Sequence, residues 1–362
     1  MEEIITLTQD LIRFKTMHSQ PDEIQRCASF IEAYLKKCGT SYHRLDHHKI
    51  PSLIIMPQSN FAPVVLMSHI DVVDAPDDMF SPRVKDNALY GRGSIDDKYA
   101  VALSLVLVKE YLHRLKKEGS SQKDLPFGVV ITADEEIGGA NGARRALKEI
   151  KADFCIALDG GGLKKIVLKE KGIIKLKLIA RGKTAHGARP WLGENAIENL
   201  IHDYQVLKAA FEISAPDHWH RTLNFSRVWA GHSSNQVPDY AEALFDIRYT
   251  ENDDMEKIFK KVQKEIKGEL IVERKEPLFE GGGSSYLDLL LDITKDTEVG
   301  FEHGASDARF LSAHGIKGIV WGADGDMSQH SDDEHVNIDS VYKLYDLLDA
   351  FIKRSEALTS KT

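Results

Sequence analysis

The order of apolar and polar residues predicts two kinds of region in this chain. Apolar residues recur at helical spacing from Ile4 to Ile12, and a second helix is predicted over 22–37 with Pro21 as its first residue. Helical stretches such as 97–116 also separate several short, nearly continuous apolar runs. Continuous apolar runs of this length predict strands that are buried on both faces, so we expect an α/β fold with a mostly parallel sheet and helices on both faces. The runs are 52–56, 63–67, 127–132, 154–158 and 317–321.

The middle of the chain alternates between apolar and polar residues instead. Strands are predicted at 173–181, 241–249 and 269–274, with helices near 194–212 and 253–267. Two helices and about four alternating strands predict a ferredoxin-like α+β insert whose sheet is covered on one face only. We therefore expect a catalytic domain formed by 1–172 and 281–362, and a lid or dimerisation domain over 173–280 that ends at "EGGGSS".

Length and composition agree with this organisation and exclude several classes of protein. At 362 residues the chain exceeds the size of a single core, and no apolar run approaches the length of about 18 residues that a membrane span needs. Its net charge of −9 includes no basic block, which argues against a nucleic-acid partner. The acidic start lacks the features of a secretory signal, and Cys27, Cys38 and Cys155 are widely spaced. We expect a soluble, cytoplasmic protein with reduced thiols and no membrane partner.

Titratable side chains follow the apolar runs. Open α/β sheets bind ligands beyond the carboxyl ends of their strands, so this position is informative. Carboxylates gathered at such an edge repel one another unless a cation joins them, and imidazole with carboxylate suits Zn²⁺ or a similar divalent ion. The residues are His69 and Asp71 after 63–67, Asp134, Glu135 and Glu136 after 127–132, Asp159 after 154–158, His330 after 317–321, and Asp96 and Asp97 where a loop enters a helix.

The number of candidate ligands favours two metal ions over one. Five side chains exceed the four that a tetrahedral zinc takes, whereas two ions that share one carboxylate would use all five. In the adjacent pair Glu135 and Glu136, one side chain can bind a metal while its neighbour acts as general base. Asp71 is predicted to accept the second ring N–H of His69 and so to orient that ligand.

Each of these residues also has a simpler interpretation. His69 by itself would be a buried core histidine, and the acidic run 134–136 a surface patch. Asp96 and Asp97 suit a helix N-terminus, and for Asp97 we prefer that interpretation. His335 is predicted to lie in a solvated loop, and the segment of His330 could be the same. The glycine runs lack the residues of a phosphate loop and predict turns.

Eight segments, in order along most of the chain, together resemble one known family. They are "SHIDVV", "LYGRGSIDDK", "TADEEIGG", "ALDGGG", "GKTAHGARPWLGENAI", "NQVPDYAEALFDIRY", "GASDARF" and "HSDDEHV". They are similar to the dinuclear zinc exopeptidases and deacylases, which include acetylornithine deacetylase, succinyl-diaminopimelate desuccinylase, aminoacylase, bacterial glutamate carboxypeptidase and the carnosinase-like dipeptidases. Any one segment is a weak signal, whereas the ordered set is specific.

The resemblance implies a role for each matching residue. It makes His69 and Asp159 ligands of one zinc, Glu136 and His330 ligands of the other, Asp96 the bridge and Glu135 the base. It implies two Zn²⁺ per chain, with Co²⁺ or Mn²⁺ as possible substitutes, and a homodimer formed through the lid. His186 would stabilise the oxyanion, in its own chain or across the dimer. The substrate carboxylate would be bound near Asn235, Arg248, Gly304, Ser306 and Arg309.

The sequence leads to one preferred function and several alternatives. The preferred one is a zinc-dependent hydrolase that cleaves the amide bond of a small peptide or N-acyl amino acid bearing a free carboxylate. Asp159 stands where many deacylases have Glu, and "SIDDK" resembles the dipeptidases, which favours a dipeptidase. Succinyl-diaminopimelate desuccinylase or acetylornithine deacetylase proper is the first alternative, and a non-catalytic metal-binding scaffold the second. A serine hydrolase is disfavoured because no Gly-x-Ser-x-Gly segment is present.

Overall fold

A computed structural model describes residues 1–57 and 60–359. The helices in that part of the chain are α1 (Glu2–Ile12), α2 (Pro21–Lys37), α3 (Lys98–Lys117), α4 (Ala143–Ala146), α5 (Ala196–Ala209), α6 (Met255–Glu265), α7 (Ser285–Thr294) and α8 (Ile338–Thr359). The strands are β1 (His43–His47), β2 (Ile50–Ile55), β3 (Phe61–His69), β4 (Arg83–Lys85), β5 (Ala88–Tyr90), β6 (Phe127–Thr132), β7 (Lys151–Ala157), β8 (Lys165–Glu170), β9 (Gly172–Arg181), β10 (Thr222–Ala230), β11 (Tyr240–Tyr249), β12 (Glu269–Glu276), β13 (Phe279–Glu280), β14 (Glu298–Glu302), β15 (Lys317–Val320) and β16 (His335–Asn337).

The chain divides into two compact units. The first comprises Met1–Lys169, Phe279–Glu302 and Ser306–Thr362, and the second comprises Glu170–Leu278 with His303–Ala305. The assignment of 1–172 with 281–362 as catalytic domain and of 173–280 as lid stays a prediction. No helix among the described residues has both the length and the apolar character needed to cross a membrane.

The first unit is built on a mixed sheet with the strand order β1-β2-β6-β3-β7-β15-β8-β13, and β14 pairs with β8. Its centre, β6-β3-β7-β15, is parallel. The predicted α/β fold with a mostly parallel sheet is therefore confirmed. His69 pairs with Thr132, and Ala157 pairs with Val320, so these four strands end at the same edge of the sheet.

Both faces of this sheet are covered, which explains its continuous apolar runs. Successive side chains of a strand point to opposite faces. Val64 and Leu66 of β3 pack with α1, α2, α3, α7 and α8, whereas Val65 and Met67 pack with α4 and the 3-10 helix Asp307–His314. A strand that alternated between apolar and polar residues would place polar side chains against one of these two helical layers.

The second unit follows the order β9-α5-β10-β11-α6-β12 and forms an antiparallel sheet of order β10-β11-β9-β12. This is the ferredoxin-like arrangement. One face of the sheet packs against α5 and α6, so its strands alternate. Strand β10 escaped sequence-based prediction because it lies at the edge of the sheet and exposes most of its side chains, including Phe225, Val228 and Trp229.

A buried tyrosine connects α3 to the edge of the sheet where the parallel strands end. The Tyr99 hydroxyl donates to the carbonyl oxygen of Leu158 at 2.6 Å and accepts from the N–H of Ala323 at 2.9 Å. Gly322 allows this approach, because a Cβ there would lie 2.4 Å from the hydroxyl oxygen. Tyr99 thus ties together the segments that follow β7 and β15.

We expect Tyr99→Phe to lower the free energy of unfolding by about 1–3 kcal/mol, because it leaves a buried N–H and a buried carbonyl without their partner. Urea denaturation of both proteins measures this difference. Tyr111→Phe on the same helix is the matched control, since the Tyr111 hydroxyl lies in a half-buried position beside Asp349 and its contact to the Asp349 carbonyl oxygen is long, at 3.4 Å. An equal or larger loss in the control would contradict the role given to Tyr99.

Candidate metal centre

The candidate site lies where the parallel strands of the first unit end. His69 is the last residue of β3, and the N–H of Ile70 donates to the carbonyl oxygen of Thr132, which ends β6. Glu135 and Glu136 lie in the turn after β6, and Asp159 follows β7. The common edge of the parallel strands therefore gathers side chains that are far apart in the sequence.

Asp96 lies between two imidazoles. Its Oδ1 is 2.9 Å from Nε2 of His69, and its Oδ2 is 3.2 Å from Nε2 of His330. Nε2 of His330 is also 3.2 Å from Oε2 of Glu136. One carboxylate thus presents one oxygen to each of two nitrogen donors, which is the arrangement required of a ligand shared by two cations.

These residues fit divalent metal ions. Ligand atoms of Asp96, Glu136 and His330 lie within 4.8 Å of one another, and carboxylate oxygen with imidazole nitrogen suits Zn²⁺, Co²⁺ or Mn²⁺. The carboxylates of Asp96 and Glu136, hydrogen-bonded to His330, raise the pKa of its ring to about 10. The site therefore favours positive charge at this position.

Asp159, the fifth predicted ligand, is half-buried near the same site but outside that group of three. Burial raises the pKa of the Asp97 carboxyl well above its ordinary value, and the negative charge of Asp159 contributes to this rise. Asp159 therefore lies within electrostatic reach of the loop that carries Asp96. Its role as a ligand stays a prediction.

Two oxygens of Asp71, one from its main chain and one from its carboxylate, face the second ring nitrogen of His69. Nδ1 of His69 is 3.0 Å from the main-chain oxygen of Asp71 and 3.4 Å from its carboxylate, so the carbonyl is the nearer acceptor. The carboxylate also accepts the N–H groups of Glu135 and Glu136 at 3.2 and 3.0 Å. With Nδ1–H donating to the carbonyl, Nε2 of His69 is left with a lone pair for a metal, and Asp71 also orders the turn of the two glutamates.

His18 is a site residue that the sequence analysis missed. Its Nε2 lies 3.0 Å from Oδ2 of Asp71. A single histidine after α1 carries no local signal of a contact with a residue so distant in the sequence. His18 therefore gives the buried Asp71 carboxylate a hydrogen-bonding partner, and it lies outside all the motifs that match the family.

Asp97 occupies the N-cap position of α3 but does not cap the helix with its side chain. Its Oδ2 accepts the N–H of His69 at 3.3 Å, and the residue is fully buried. The preferred interpretation of Asp97 as a capping residue is therefore wrong for its side chain. His335, predicted to lie in a solvated loop, begins β16 and pairs with Tyr90.

The carboxyl of Glu135 is held in surroundings that favour its protonated form. Burial and the negative charge of Asp307 raise its pKa well above the ordinary value, and Arg309 opposes this rise. Nη1 of Arg309 lies 3.6 Å from Oε1 of Glu135, and Arg309 is only 2% exposed. Arg309, predicted to bind substrate, thus faces the predicted base, and its substrate-binding role stays a prediction.

The second unit contains the other predicted site residues, apart from Ser306. Nδ1 of the exposed His186 accepts the N–H of Ala188 at 3.0 Å. The strand-like pairing beside it brings Asn235 close, since the N–H of Gly187 donates to the Asn235 carbonyl at 2.7 Å. Nε of Arg248 donates to Asp246 at 2.9 Å.

The "GASDARF" loop is divided between the two units. Gly304 belongs to the second unit, whereas Ser306 belongs to the first and caps the 3-10 helix Asp307–His314 by accepting the N–H of Ala308. The roles of His186, Asn235, Arg248, Gly304 and Ser306 stay predictions.

Comparison with known proteins identifies the class. The sequence profile of peptidase family M20/M25/M40 matches residues 65–354, and the chain belongs to this family. The predicted family is thereby confirmed. The chain is a hydrolase that acts on peptide or amide bonds, in a family whose members generally depend on two metal ions. Membership of this family favours the hydrolase over the non-catalytic scaffold.

Individual relatives are distant but match the chain along almost its whole length. A succinyl-diaminopimelate desuccinylase of Wolbachia pipientis is 26% identical, over 99% of this chain and 94% of the relative. An uncharacterised metallohydrolase of Methanocaldococcus jannaschii is 23% identical, over 98% and 99% of the two chains.

Solved structures share the fold. A tripeptidase from Staphylococcus aureus superposes with a TM-score of 0.77 at 20% identity, covering 97% of each chain. A family M20 metallo-carboxypeptidase from Sulfolobus solfataricus gives a TM-score of 0.75 at 20% identity, over 98% and 99% of the two chains. The tripeptidase and the carboxypeptidase differ in the substrates that their names state, so the shared fold alone does not select a substrate.

The contact between His18 and Asp71 predicts a pH-dependent stability. Burial alone lowers the pKa of His18, but its hydrogen bond to Asp71 and the charges of nearby carboxylates raise it above 6.5. The resulting stabilisation is complete below pH 6.5 and is lost as the pH rises through the raised pKa. For metal-free protein, the difference in unfolding free energy between the wild type and His18→Gln should be largest below pH 6.5 and should decrease at higher pH. A difference independent of pH would contradict this assignment.

Proposed function

We propose that the protein is a dinuclear zinc peptidase or deacylase, which hydrolyses the amide bond of a small peptide or N-acyl amino acid with a free carboxylate. One observation carries this proposal. The carboxylate of Asp96 presents its two oxygens to the imidazoles of His69 and His330, and the half-buried Glu135 lies in the turn that also carries Glu136.

The ligands divide into two sets in the proposed site. His69 and Asp159 would hold one zinc, Glu136 and His330 the other, and Asp96 would contact both. When bound, two such ions polarise the substrate carbonyl and lower the pKa of water.

Glu135 is proposed to move the proton. Its carboxylate accepts a proton from the attacking water as the water oxygen adds to the carbonyl carbon. When the C–N bond breaks, the same carboxyl returns the proton to the leaving amine. Burial raises the pKa of the Glu135 carboxyl above its ordinary value, which makes its carboxylate a stronger base toward the attacking water.

Side chains of the second unit are proposed to bind the substrate. Because Nδ1 of His186 accepts a hydrogen bond from Ala188, the neutral ring carries its proton on Nε2 and can donate it to a developing oxyanion. Arg248, oriented by Asp246, offers a guanidinium suited to a carboxylate, and Asn235, Gly304 and Ser306 are proposed to assist.

We expect Glu135→Gln to lose activity by about 100-fold or more while it keeps its bound zinc, because the amide cannot accept the proton. Metal analysis and the rate of hydrolysis measure the two effects separately. Glu149→Gln, an exposed carboxylate of the first unit, is the control and should retain full activity. Near-normal activity of the Glu135 variant would show that another group is the base.

The substrate class divides into two hypotheses. Asp159 and "SIDDK" favour a dipeptidase, whereas relatives named succinyl-diaminopimelate desuccinylase favour a deacylase. A panel of dipeptides, acetyl amino acids and succinyl amino acids, including acetylornithine and succinyl-diaminopimelate, separates them when assayed with zinc. Cleavage of the acylated compounds alone would reject the dipeptidase. Reloading chelator-treated protein with Zn²⁺, Co²⁺ or Mn²⁺ tests the identity of the metal.

A homodimer formed through the second unit is also proposed. Strand β10 lies at the edge of its sheet with one side unpaired among the described residues, and Phe225, Val228 and Trp229 are exposed on it. An edge strand with exposed apolar side chains is suited to pairing with the same strand of a second chain.

A cytoplasmic location is also proposed. It is supported by the free thiols of Cys27, Cys38 and Cys155.

We expect Val228→Lys to convert a dimer into a monomer, because it places a charge in the proposed apolar contact. Sedimentation velocity measures the change. Val84→Lys in β4 is a matched control, since Val84 is 54% exposed and Val228 is 55% exposed. A wild-type monomer, or dissociation by both variants, would reject β10 as the contact.

A further inference from the structure

A buried ion pair lies beside the candidate metal centre but outside its predicted ligands. Arg92 is 3% exposed and Glu334 is 1% exposed, and Nη1 of Arg92 contacts Oε2 of Glu334. Arg92 follows β5 and Glu334 precedes β16, and these two strands pair with each other. We call Arg92 and Glu334 the buried clasp.

Glu334 holds the loop that leads to Asp96. Its Oε1 accepts the N–H of Gly93 at 2.8 Å and makes longer contacts of 3.4 Å with the N–H groups of Ile95 and Asp96. Its own main-chain oxygen accepts the N–H of Gly91 at 3.0 Å. A single buried carboxylate therefore orders the backbone up to and including Asp96.

Arg92 holds the loop of the other ligand. While Nη1 contacts Glu334, Nη2 donates to the main-chain oxygen of His330 at 3.3 Å. His330 has a φ of 63°, a left-handed conformation that a non-glycine residue adopts only when its surroundings hold it there. The planar guanidinium thus connects the Asp96 loop, through Glu334, to the backbone of His330.

Stability alone does not account for such a pair. Removing two charges from water costs about as much as their attraction returns, and apolar residues of similar volume often serve the fold equally well. The clasp differs from an apolar contact in its direction, because Arg92 donates to the backbone of the His330 loop and Glu334 accepts from the backbone of the loop that leads to Asp96.

We propose that Arg92 and Glu334 are positioning residues that set the separation between Asp96 and His330 and thereby the affinity for the metal bound by Asp96, Glu136 and His330. This inference rests on the dinuclear site of the proposed function. It adds two residues that bind neither metal nor substrate and act through the backbone of two ligands.

Zinc binding to the full-length Arg92→Lys variant tests this proposal. Lysine keeps a positive charge beside Glu334, but a single ammonium group lacks the second arm that reaches the His330 carbonyl. Chelator competition measures the affinity for each of the two zinc ions. We expect one ion to bind about 10-fold or more weakly than in the wild type, which is the range found for residues that orient metal ligands. The affinity for the other ion should be unchanged. At saturating zinc, the activity should recover with an unchanged KM.

Arg221→Lys in the second unit is the matched control. Arg221 also joins a carboxylate to a main-chain carbonyl, through Asp253 at 2.7 Å and Ala210 at 2.7 Å. We expect this variant to have a lower Tm with both zinc affinities unchanged. The same result for Arg92→Lys, with an equal decrease of Tm in zinc-free and zinc-loaded protein, would overturn the proposal and leave the clasp as an ordinary buried ion pair.

Glu334→Gln provides a second test if Arg92→Lys folds poorly. Glutamine keeps the shape and one acceptor oxygen for the N–H of Gly93, and it removes the charge that faces Arg92. The increase of Tm on adding zinc remains measurable in a destabilised protein, and it should be smaller in this variant than in the wild type. An undiminished increase would overturn the proposal.

The wild-type protein separates the two levels of inference. A wild type that binds no zinc and hydrolyses no compound of the panel rejects the proposed function itself. A wild type that binds two zinc ions, together with clasp variants of unaltered affinity, rejects only the positioning role of Arg92 and Glu334.

Discussion

The parallel alignment of β3, β6, β7 and β15 is the constraint on which the candidate site depends. Parallel strands in register end at a common edge, so the residues that follow them are brought together whatever their separation along the chain. Helices on both faces make this sheet rigid and exclude water from it. The polar side chains at its edge are consequently held by a rigid sheet from which water is largely excluded.

The edge of this sheet concentrates negative charge. Asp96, Glu136 and the carboxyl of Asp71 lie close together, and imidazoles of His18, His69 and His330 are interleaved with them. Burial disfavours each charge individually, which raises the pKa of Glu135 and Asp97. Two divalent cations would relieve this repulsion, and the family to which the chain belongs generally uses two metal ions.

The second unit is proposed to bind the substrate. Its sheet is covered on one face, and its predicted site residues are exposed or half-buried rather than embedded in a core. Side chains of this kind could adapt to a substrate, whereas His69 of the first unit is buried and is held by its hydrogen bond to the Asp71 carbonyl. A metal centre in the first unit and exposed substrate-binding side chains in the second would suit a family whose members share a fold and differ in substrate.

The sequence by itself determined the α/β fold and the strand-end positions of His69, Glu136 and Asp159, because buried parallel strands leave continuous apolar runs that end abruptly in polar residues. The family followed from the resemblance of eight ordered motifs. It did not reveal β10, whose exposed edge position carries no regular apolar pattern. Only the tertiary structure decided that the Asp96 carboxylate faces two imidazoles, that His18 meets Asp71, and that Arg92 pairs with Glu334. Those contacts join residues far apart in the chain, and a local pattern has no means of recording which distant partner a polar side chain will meet once the sheet has assembled.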